Sequence, residues 1–173
     1  MKLSTSFLYS RKQIAQRISE LANEIDCDLR GKEVVVLVAL KGAIPMAIDL
    51  IRAMKTSVTL ELIRAKSYEG SESTGNVTFT HLPECTLRDK TVLIIEDIID
   101  TGQTCSAIRE ILQNDFQAND IRIVTLLDKP SRRKVVCEAN WVGFSIDDVF
   151  VVGYGMDFDE AYRDLSDIHT MEP

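Results

Sequence analysis

The stretch VLIIEDIIDTGQT, Val92 to Thr104, decides the fold. Val92–Ile95 is an apolar run suited to a strand buried on both faces, and it ends at two adjacent carboxylates, Glu96 and Asp97. Asp100–Thr104 then supplies a glycine, two threonine hydroxyls and consecutive backbone N–H groups, leading into a helix predicted from about Gln103 to Gln113. Amides at a helix N-terminus and in a backbone nest suit a phosphate. Gly102 permits a close approach or a positive φ. Glu96 and Asp97 would repel a bare phosphate; they suit diol hydroxyls or a hydrated Mg²⁺. A ligand with a phosphate at one end and a ribose diol beside it satisfies both halves.

Other phosphate-binding patterns do not fit. The chain has no G-x-x-x-x-G-K-[ST] loop, and no G-x-G-x-x-G follows a predicted strand. A lone D-T-G would be read as a helix cap. The buried strand before it and the full E-D-x-x-D-T-G-x-T spacing favour a functional site.

Strands and helices alternate outward from this stretch. Ser10-Arg11-Lys12-Gln13 is a capping box, followed by one apolar helical face (Ile14, Ile18, Leu21, Ala22, Ile25, Leu29) that Gly31 is placed to end. Val34–Leu40 predicts a strand buried on both faces, Lys41-Gly42 a turn, and Ile44–Met54 a helix with Pro45 in its first turn. Further strands are predicted at Val58–Ile63, Val77–Thr80, Ile121–Leu127 and Val149–Val152, with a short helix at Asp159–Leu165. Lys66–Asn76 (KSYEGSESTGN) predicts a mobile loop. This alternation implies an open α/β fold, a mostly parallel twisted sheet flanked by helices, in one domain spanning 1–173. Ligands in such folds bind outside the carboxyl ends of the strands. Lys41-Gly42, Glu96-Asp97, Lys129 and Asp157 all recur there.

Composition narrows the function class. The chain has 173 residues, 45% hydrophobic and 27% charged, as expected for a soluble globular protein. A net charge of −7 disfavours generic nucleic-acid binding. No apolar run is long enough to cross a bilayer, and Met1–Arg11 lacks a secretory signal, so a cytoplasmic location without membrane attachment is expected. Four cysteines without a C-x-x-C pair, and two histidines, predict reduced thiols rather than a disulfide framework or zinc site.

Val92–Thr104 resembles the phosphoribosyl-pyrophosphate signature of type I phosphoribosyltransferases, in the form typical of the hypoxanthine-guanine phosphoribosyltransferases. The resemblance extends over most of the chain. It includes Leu40-Lys41-Gly42, Lys66-Ser67-Tyr68 with Ser73-Thr74-Gly75, Leu126-Leu127-Asp128-Lys129, and Phe150-Val151-Val152-Gly153-Tyr154 with Asp157 and Arg163. One motif alone indicates only the superfamily; the ordered set resembles the 6-oxopurine branch. It implies a small hood formed by terminal segments, a Mg²⁺ cofactor, and a homo-oligomer, dimer or tetramer. The implied reaction is transfer of the phosphoribosyl group from phosphoribosyl pyrophosphate to hypoxanthine or guanine, for purine salvage.

The resemblance also implies roles. Glu96 and Asp97 hold the ribose hydroxyls directly or through Mg²⁺, and Asp157 is a second metal ligand. Asp100 is the candidate general base for the purine N7 proton, with a neighbouring lysine as the alternative; burial beside Glu96 and Asp97 would raise its pKa to a useful value. Thr101, Gly102, Gln103 and Thr104 cradle the 5′-phosphate, Gln103 standing where many relatives have Lys. Lys41 and Gly42 meet pyrophosphate, often across a non-proline cis peptide, and Arg163 contacts it too. Arg133 is a further pyrophosphate candidate, unless Ser131–Lys134 is simply a solvated basic turn; Asp147 and Asp148 are read as solvated. Lys129 donates to the purine O6, which excludes adenine. Phe150 stacks on the base, the Val151 backbone reads its edge, and Ser67 and Tyr68 belong to a lid. Two alternatives remain: a regulatory RNA-binding relative, which the charge disfavours, and a xanthine-preferring enzyme.

Overall fold

Residues 2–67 and 77–172 are described by a computed structural model of the chain. The capping box forms: Ser10 Oγ accepts from the Gln13 amide, and the Gln13 side chain accepts from the Ser10 amide at 3.0 Å. It starts helix α1 (Arg11–Asp28), and Gly31 follows with φ +77°. Ile14, Ile18, Leu21, Ala22 and Ile25 form the buried face. Each fully buried Ile or Leu there contributes about 1.5–3 kcal/mol.

The main sheet contains β2 (Val34–Ala39), β3 (Val58–Ser67), β4 (Val77–His81), β5 (Thr91–Ile99), β6 (Asp120–Asp128) and β7 (Trp141–Ser145). Its order is β4-β3-β2-β5-β6-β7, parallel throughout except for the antiparallel β3–β4 pair. Every residue of β2 is buried, as its β-branched run predicts. Val34, Val36 and Val38 face α1 and α2 (Ile44–Ala53) on one side. Val35, Leu37 and Ala39 face α3 (Gln103–Asn114) on the other. The period of two in the strand and the helices on both faces together account for the two core layers.

A second sheet is the hood. β1 (Lys2–Tyr9), β9 (Ile168–Glu172) and β8 (Val151–Val152) pair antiparallel in the order β1-β9-β8. The terminal segments therefore meet, as the resemblance implied. Among the described residues no helix is long and apolar enough to cross a membrane.

Several predicted boundaries change. The strand Val92–Ile95 runs on to Ile99, because pairing of Glu96, Ile98 and Ile99 with β6 satisfies their backbone. Val149–Val152 shrinks to Val151–Val152 and joins the hood instead of the parallel sheet. The predicted helix at Asp159–Leu165 does not form: Asp159, Glu160 and Tyr162 all have positive φ, which a right-handed helix forbids. Lys66 and Ser67, predicted as loop, extend β3 opposite Thr78 and Val77. The rest of that loop, with Tyr68, Ser73, Thr74 and Gly75, lies outside the described residues.

Candidate active site

β2 leads through α2 to β3 on one side, while β5 lies on its other side, so the order of the sheet reverses between β2 and β5. A crevice opens there at the carboxyl ends, as in other open α/β sheets. It is a cavity of about 590 Å³ whose walls include Lys41, Gly42, Glu96, Asp97, Asp100 and Arg163, with Asp157, Thr101, Gly102 and Thr104 completing the rim. The structure thus brings together most of the predicted phosphoribosyl and pyrophosphate residues. Lys129, Phe150, Val151 and Gln103 stand outside this cavity.

Glu96 is only 7% exposed although it is a carboxylate. Its Oε1 accepts from the Asp97 amide at 3.3 Å, and Asp97 Oδ1 accepts from the Ile98 amide at 2.8 Å. Burial, then the neighbouring Asp97 charge, pushes Glu96 well above the usual carboxylate range. Burial also raises Asp97, against the hydrogen bonds it accepts and the charge of Arg163. Gly42 makes room for this pair, since a Cβ there would fall 1.5 Å from Asp97 Oδ2. Gly155, which the sequence reading passed over, packs in turn on Gly42, whose carbonyl would be 2.0 Å from an added Cβ. The Leu40–Lys41 peptide bond is cis, as the resemblance implied.

A hard dication suits these two carboxylates. Among the described residues no three His, Cys, Asp or Glu side chains form a ready cage. Mg²⁺ needs none, because it uses one or two carboxylates and completes its shell from water and substrate oxygens. Glu96 and Asp97 fit that donor set, with Asp157 across the cavity.

The anion loop is held from behind. Gly102, at φ +82°, is the N-cap of α3 and places no side chain over the helix end. Lys129 N–H donates to the Ile99 carbonyl at 3.0 Å, and Lys134 N–H to the Thr101 carbonyl at 3.0 Å. The Arg133 guanidinium donates to the Ile99 and Asp100 carbonyls and to the Asp128 carboxylate. The Gln103 amide donates to the Thr101 hydroxyl at 3.4 Å, and the next first-turn amides of α3, which have no partner within the helix, remain for a ligand. Arg133 therefore braces the loop and is not the solvated residue of a basic turn. This bracing role has no local sequence signal, because the partners of Arg133 come from three segments. Gln103 adds its backbone to the loop, while its side chain accepts from the Thr101 hydroxyl at 3.4 Å.

Asp100 departs from its expected surroundings. Its side chain is 39% exposed and paired with Arg132 at 3.1 Å, so the burial falls on Glu96 and Asp97 instead. Arg132 also reaches Asp148 at 3.4 Å, and Asp148 lies 3.8 Å from the buried Lys129 Nζ. Asp148 is thus part of a charge chain from Asp100 to Lys129, not merely solvated. Phe150 is 42% exposed and meets Phe158 edge to face, with ring centroids 5.7 Å apart. An exposed ring at the hood beside β8 leaves a face open for stacking. Ser67 ends β3.

On the remaining wall, Lys41 Nζ pairs with Glu160 at 2.9 Å, and Arg163 pairs with Asp157 at 2.7 Å and Glu160 at 3.2 Å. Glu160 therefore sits between the two cations assigned to pyrophosphate. No local motif marks Glu160, since its position follows from the positive-φ turn that replaces the predicted helix.

Comparison with known proteins agrees with this geometry. Residues 4–159 match the phosphoribosyl transferase domain family. The chain is 42% identical over 167 residues to a hypoxanthine-guanine phosphoribosyltransferase of Staphylococcus aureus, covering 96% of this chain and 93% of that one. It is 40% identical over 166 residues to the same enzyme of Staphylococcus epidermidis, covering 95% and 92%. A crystal structure of a hypoxanthine phosphoribosyltransferase from Staphylococcus aureus superposes with a TM-score of 0.92 at 41% identity, covering 98% of this chain and 92% of that one. The Trypanosoma cruzi enzyme in complex with the product IMP also superposes with a TM-score of 0.92, at 32% identity, covering 100% and 97%. Sequence, sheet order and site agree, and the chain belongs to the phosphoribosyltransferase family, in its hypoxanthine-guanine branch.

Proposed function

We propose that this protein is a Mg²⁺-dependent enzyme of purine salvage. It transfers the phosphoribosyl group of phosphoribosyl pyrophosphate to hypoxanthine or guanine, giving IMP or GMP and pyrophosphate. The observation that carries this reading is the buried Glu96, with Asp97 half-buried beside it, set next to a helix N-terminus that no N-cap side chain covers. Carboxylates forced close together in low dielectric call for a cation or hydroxyl donors, and the amides next to them call for an anion. Ribose 5-phosphate carries both.

Each residue then has a task. Glu96 and Asp97 hold the ribose hydroxyls and the metal, with Asp157 as a further ligand, while Thr101, Gly102, Gln103 and Thr104 hold the 5′-phosphate. Lys41, Gly42 and Arg163 orient the pyrophosphate. Bound Mg²⁺ supplies positive charge to the leaving group. Lys129 donates to the purine O6, and adenine, with a 6-amino group there, offers it no acceptor. Phe150 stacks on the base and the Val151 backbone reads its edge. Asp100 accepts the N7 proton as N9 bonds to C1′, and release of Arg132 from Asp100 frees the carboxylate to do so. The segment containing Ser67 and Tyr68 covers the reaction and excludes water.

The test is direct. The protein is incubated with Mg²⁺, phosphoribosyl pyrophosphate and, separately, hypoxanthine, guanine, xanthine and adenine, and nucleotide is followed chromatographically. IMP and GMP are expected, with adenine inert. No nucleotide from any 6-oxopurine would refute the reading.

A further inference from the structure

Asp100, Lys129, Arg132 and Asp148 meet from three segments: the end of β5, the turn Pro130–Arg132 after β6, and the connection from β7 to β8. Their backbones are tied together. The Lys129 amide donates to the Ile99 carbonyl at 3.0 Å, the Arg132 amide to the Lys129 carbonyl at 3.1 Å, and the Ile146 amide to the Asp128 carbonyl at 2.8 Å. The Arg133 guanidinium holds the Asp100 carbonyl from behind. The side chains differ: Lys129 is buried, whereas Arg132 and Asp148 are exposed and Asp100 is half-exposed. Charge here can therefore rearrange through side chains alone.

Arg132 straddles two carboxylates. Its Nε donates to Asp100 Oδ1 at 3.1 Å, and its Nη1 donates to Asp148 Oδ2 at 3.4 Å. The other oxygen of Asp148, Oδ1, lies 3.8 Å from Lys129 Nζ, close enough for charge attraction but beyond a hydrogen bond. Asp148 thus divides itself between two cations, and both contacts are longer than the one Arg132 makes with Asp100. Exposed ion pairs are weak, so a small change at one cation is enough to move the other.

We propose that Asp148 couples recognition of the purine 6-oxo group to release of Asp100, drawing Arg132 off Asp100 when the base draws Lys129 off Asp148. The coupling rests on the phosphoribosyl-transfer reading, in which Lys129 donates to O6 and Asp100 accepts the N7 proton. Once Lys129 turns to the oxo oxygen, Asp148 has one cation left to answer it, and the guanidinium fork of Arg132 can meet both its oxygens. A carboxylate beside a guanidinium holds its charge and takes a proton poorly, so the departure of Arg132 makes Asp100 a better base. A base without an acceptor at position 6 leaves Lys129 with Asp148 and Arg132 with Asp100. Such a base is then rejected in the chemical step as well as in binding. Asp148 is a positioning residue in this scheme, since it acts on the reaction only through Arg132.

The test is a double-mutant cycle read by single-turnover IMP formation from hypoxanthine, with phosphoribosyl pyrophosphate and Mg²⁺ in excess, so that product release does not mask the step. Wild type is compared with Asp148→Asn, Asp148→Glu, Arg132→Gln and the double variant Asp148→Asn/Arg132→Gln. Asp148→Asn should slow the step about three- to fivefold at saturating hypoxanthine, the scale of one exposed ion pair. Asp148→Glu should recover the rate to within about twofold of wild type, because it keeps the charge. In the Arg132→Gln background, Asp148→Asn should change nothing, since Asp100 has no guanidinium left to lose. An equal loss in both backgrounds would overturn the coupling, and so would a loss confined to the half-saturating concentration of hypoxanthine. Either is what a residue that only steadies Lys129 or the fold would give. Absence of IMP from the wild type would overturn the phosphoribosyl-transfer reading itself, whereas IMP formation with additive variants overturns the coupling alone.

Discussion

The paired strands β5 and β6 present Asp120 at the amino end of the sheet and Glu96 with Asp97 toward the carboxyl end, and the two ends treat these carboxylates in opposite ways. At the amino end, Asp120 accepts from Lys32 Nζ at 2.7 Å, Arg122 Nε at 2.7 Å and Thr91 Oγ1 at 2.9 Å. Burial works against this charge, but the three donors outweigh it and hold Asp120 down to about 2. At the carboxyl end, Glu96 is buried with Asp97 half-buried beside it, and both are pushed up. The same sheet therefore answers one set of charges with its own cations and leaves the other for a ligand. An unanswered pair in a cleft is the mark of a site, and an answered cluster on a rim is the mark of stability.

The largest expected effect comes from neutralising the unanswered end. Glu96→Gln with Asp97→Asn should lower turnover by roughly a thousandfold, the scale of losing a preorganised charge site. In EDTA the same variant should unfold at higher urea, because two crowded carboxylates have been removed from low dielectric. A lower urea midpoint would break the comparison.

Asp100→Asn sharpens it. This carboxylate is at the carboxyl end but is answered by Arg132. Turnover should drop by about a hundredfold, in the range of general-base loss, while phosphoribosyl pyrophosphate binding, followed by calorimetry, stays nearly constant. Near-normal turnover would remove Asp100 as the base and leave a lysine in its place.

A smaller effect is expected at Glu160, whose carboxylate pairs with Lys41 and Arg163, the two cations proposed to orient pyrophosphate. Glu160→Gln should tighten inorganic pyrophosphate binding by about two- to fivefold, the scale of one exposed ion pair. Weaker binding would show that Glu160 orients Lys41 and Arg163 rather than competing for them.

The smallest effect on chemistry is at the answered end. Asp120→Asn should leave turnover unchanged and cost about 1 kcal/mol near neutral pH, after discounting for partial exposure. The sign follows from the depressed value: the contribution is present above the ordinary Asp range near pH 4 and fades as pH falls towards about 2. Urea unfolding of wild type and variant across that interval should therefore converge at acid pH.

Much of this arrangement was legible in the sequence. The capping box, the β-branched run of β2 and the step from β5 to a Gly-led helix are local signals, and they yielded the sheet and the phosphate loop. β1, β7 and β9 were not anticipated, because KLSTSFLY, WVGFS and IHTME are short and mixed in polarity and gain their pairing only from distant partners. The same limit hid Glu160, Arg132 and Arg133. Their roles depend on contacts across the chain, and the turn that carries Glu160 overrides an apparently helical pattern. Proximity to Glu96 predicts a buried setting for Asp100, yet the strand runs on to Ile99 and leaves its side chain exposed beside Arg132.

On the proposed function, Glu96 and Asp97 are the protein's half of a metal and ribose site. The most direct measurement is calorimetric binding of phosphoribosyl pyrophosphate to the wild-type protein in Mg²⁺ and in EDTA, repeated with Glu96→Gln/Asp97→Asn. Mg²⁺ should tighten wild-type binding by about tenfold or more and change the variant little. Equal wild-type affinity in Mg²⁺ and EDTA, or an undiminished Mg²⁺ effect in the variant, would contradict it.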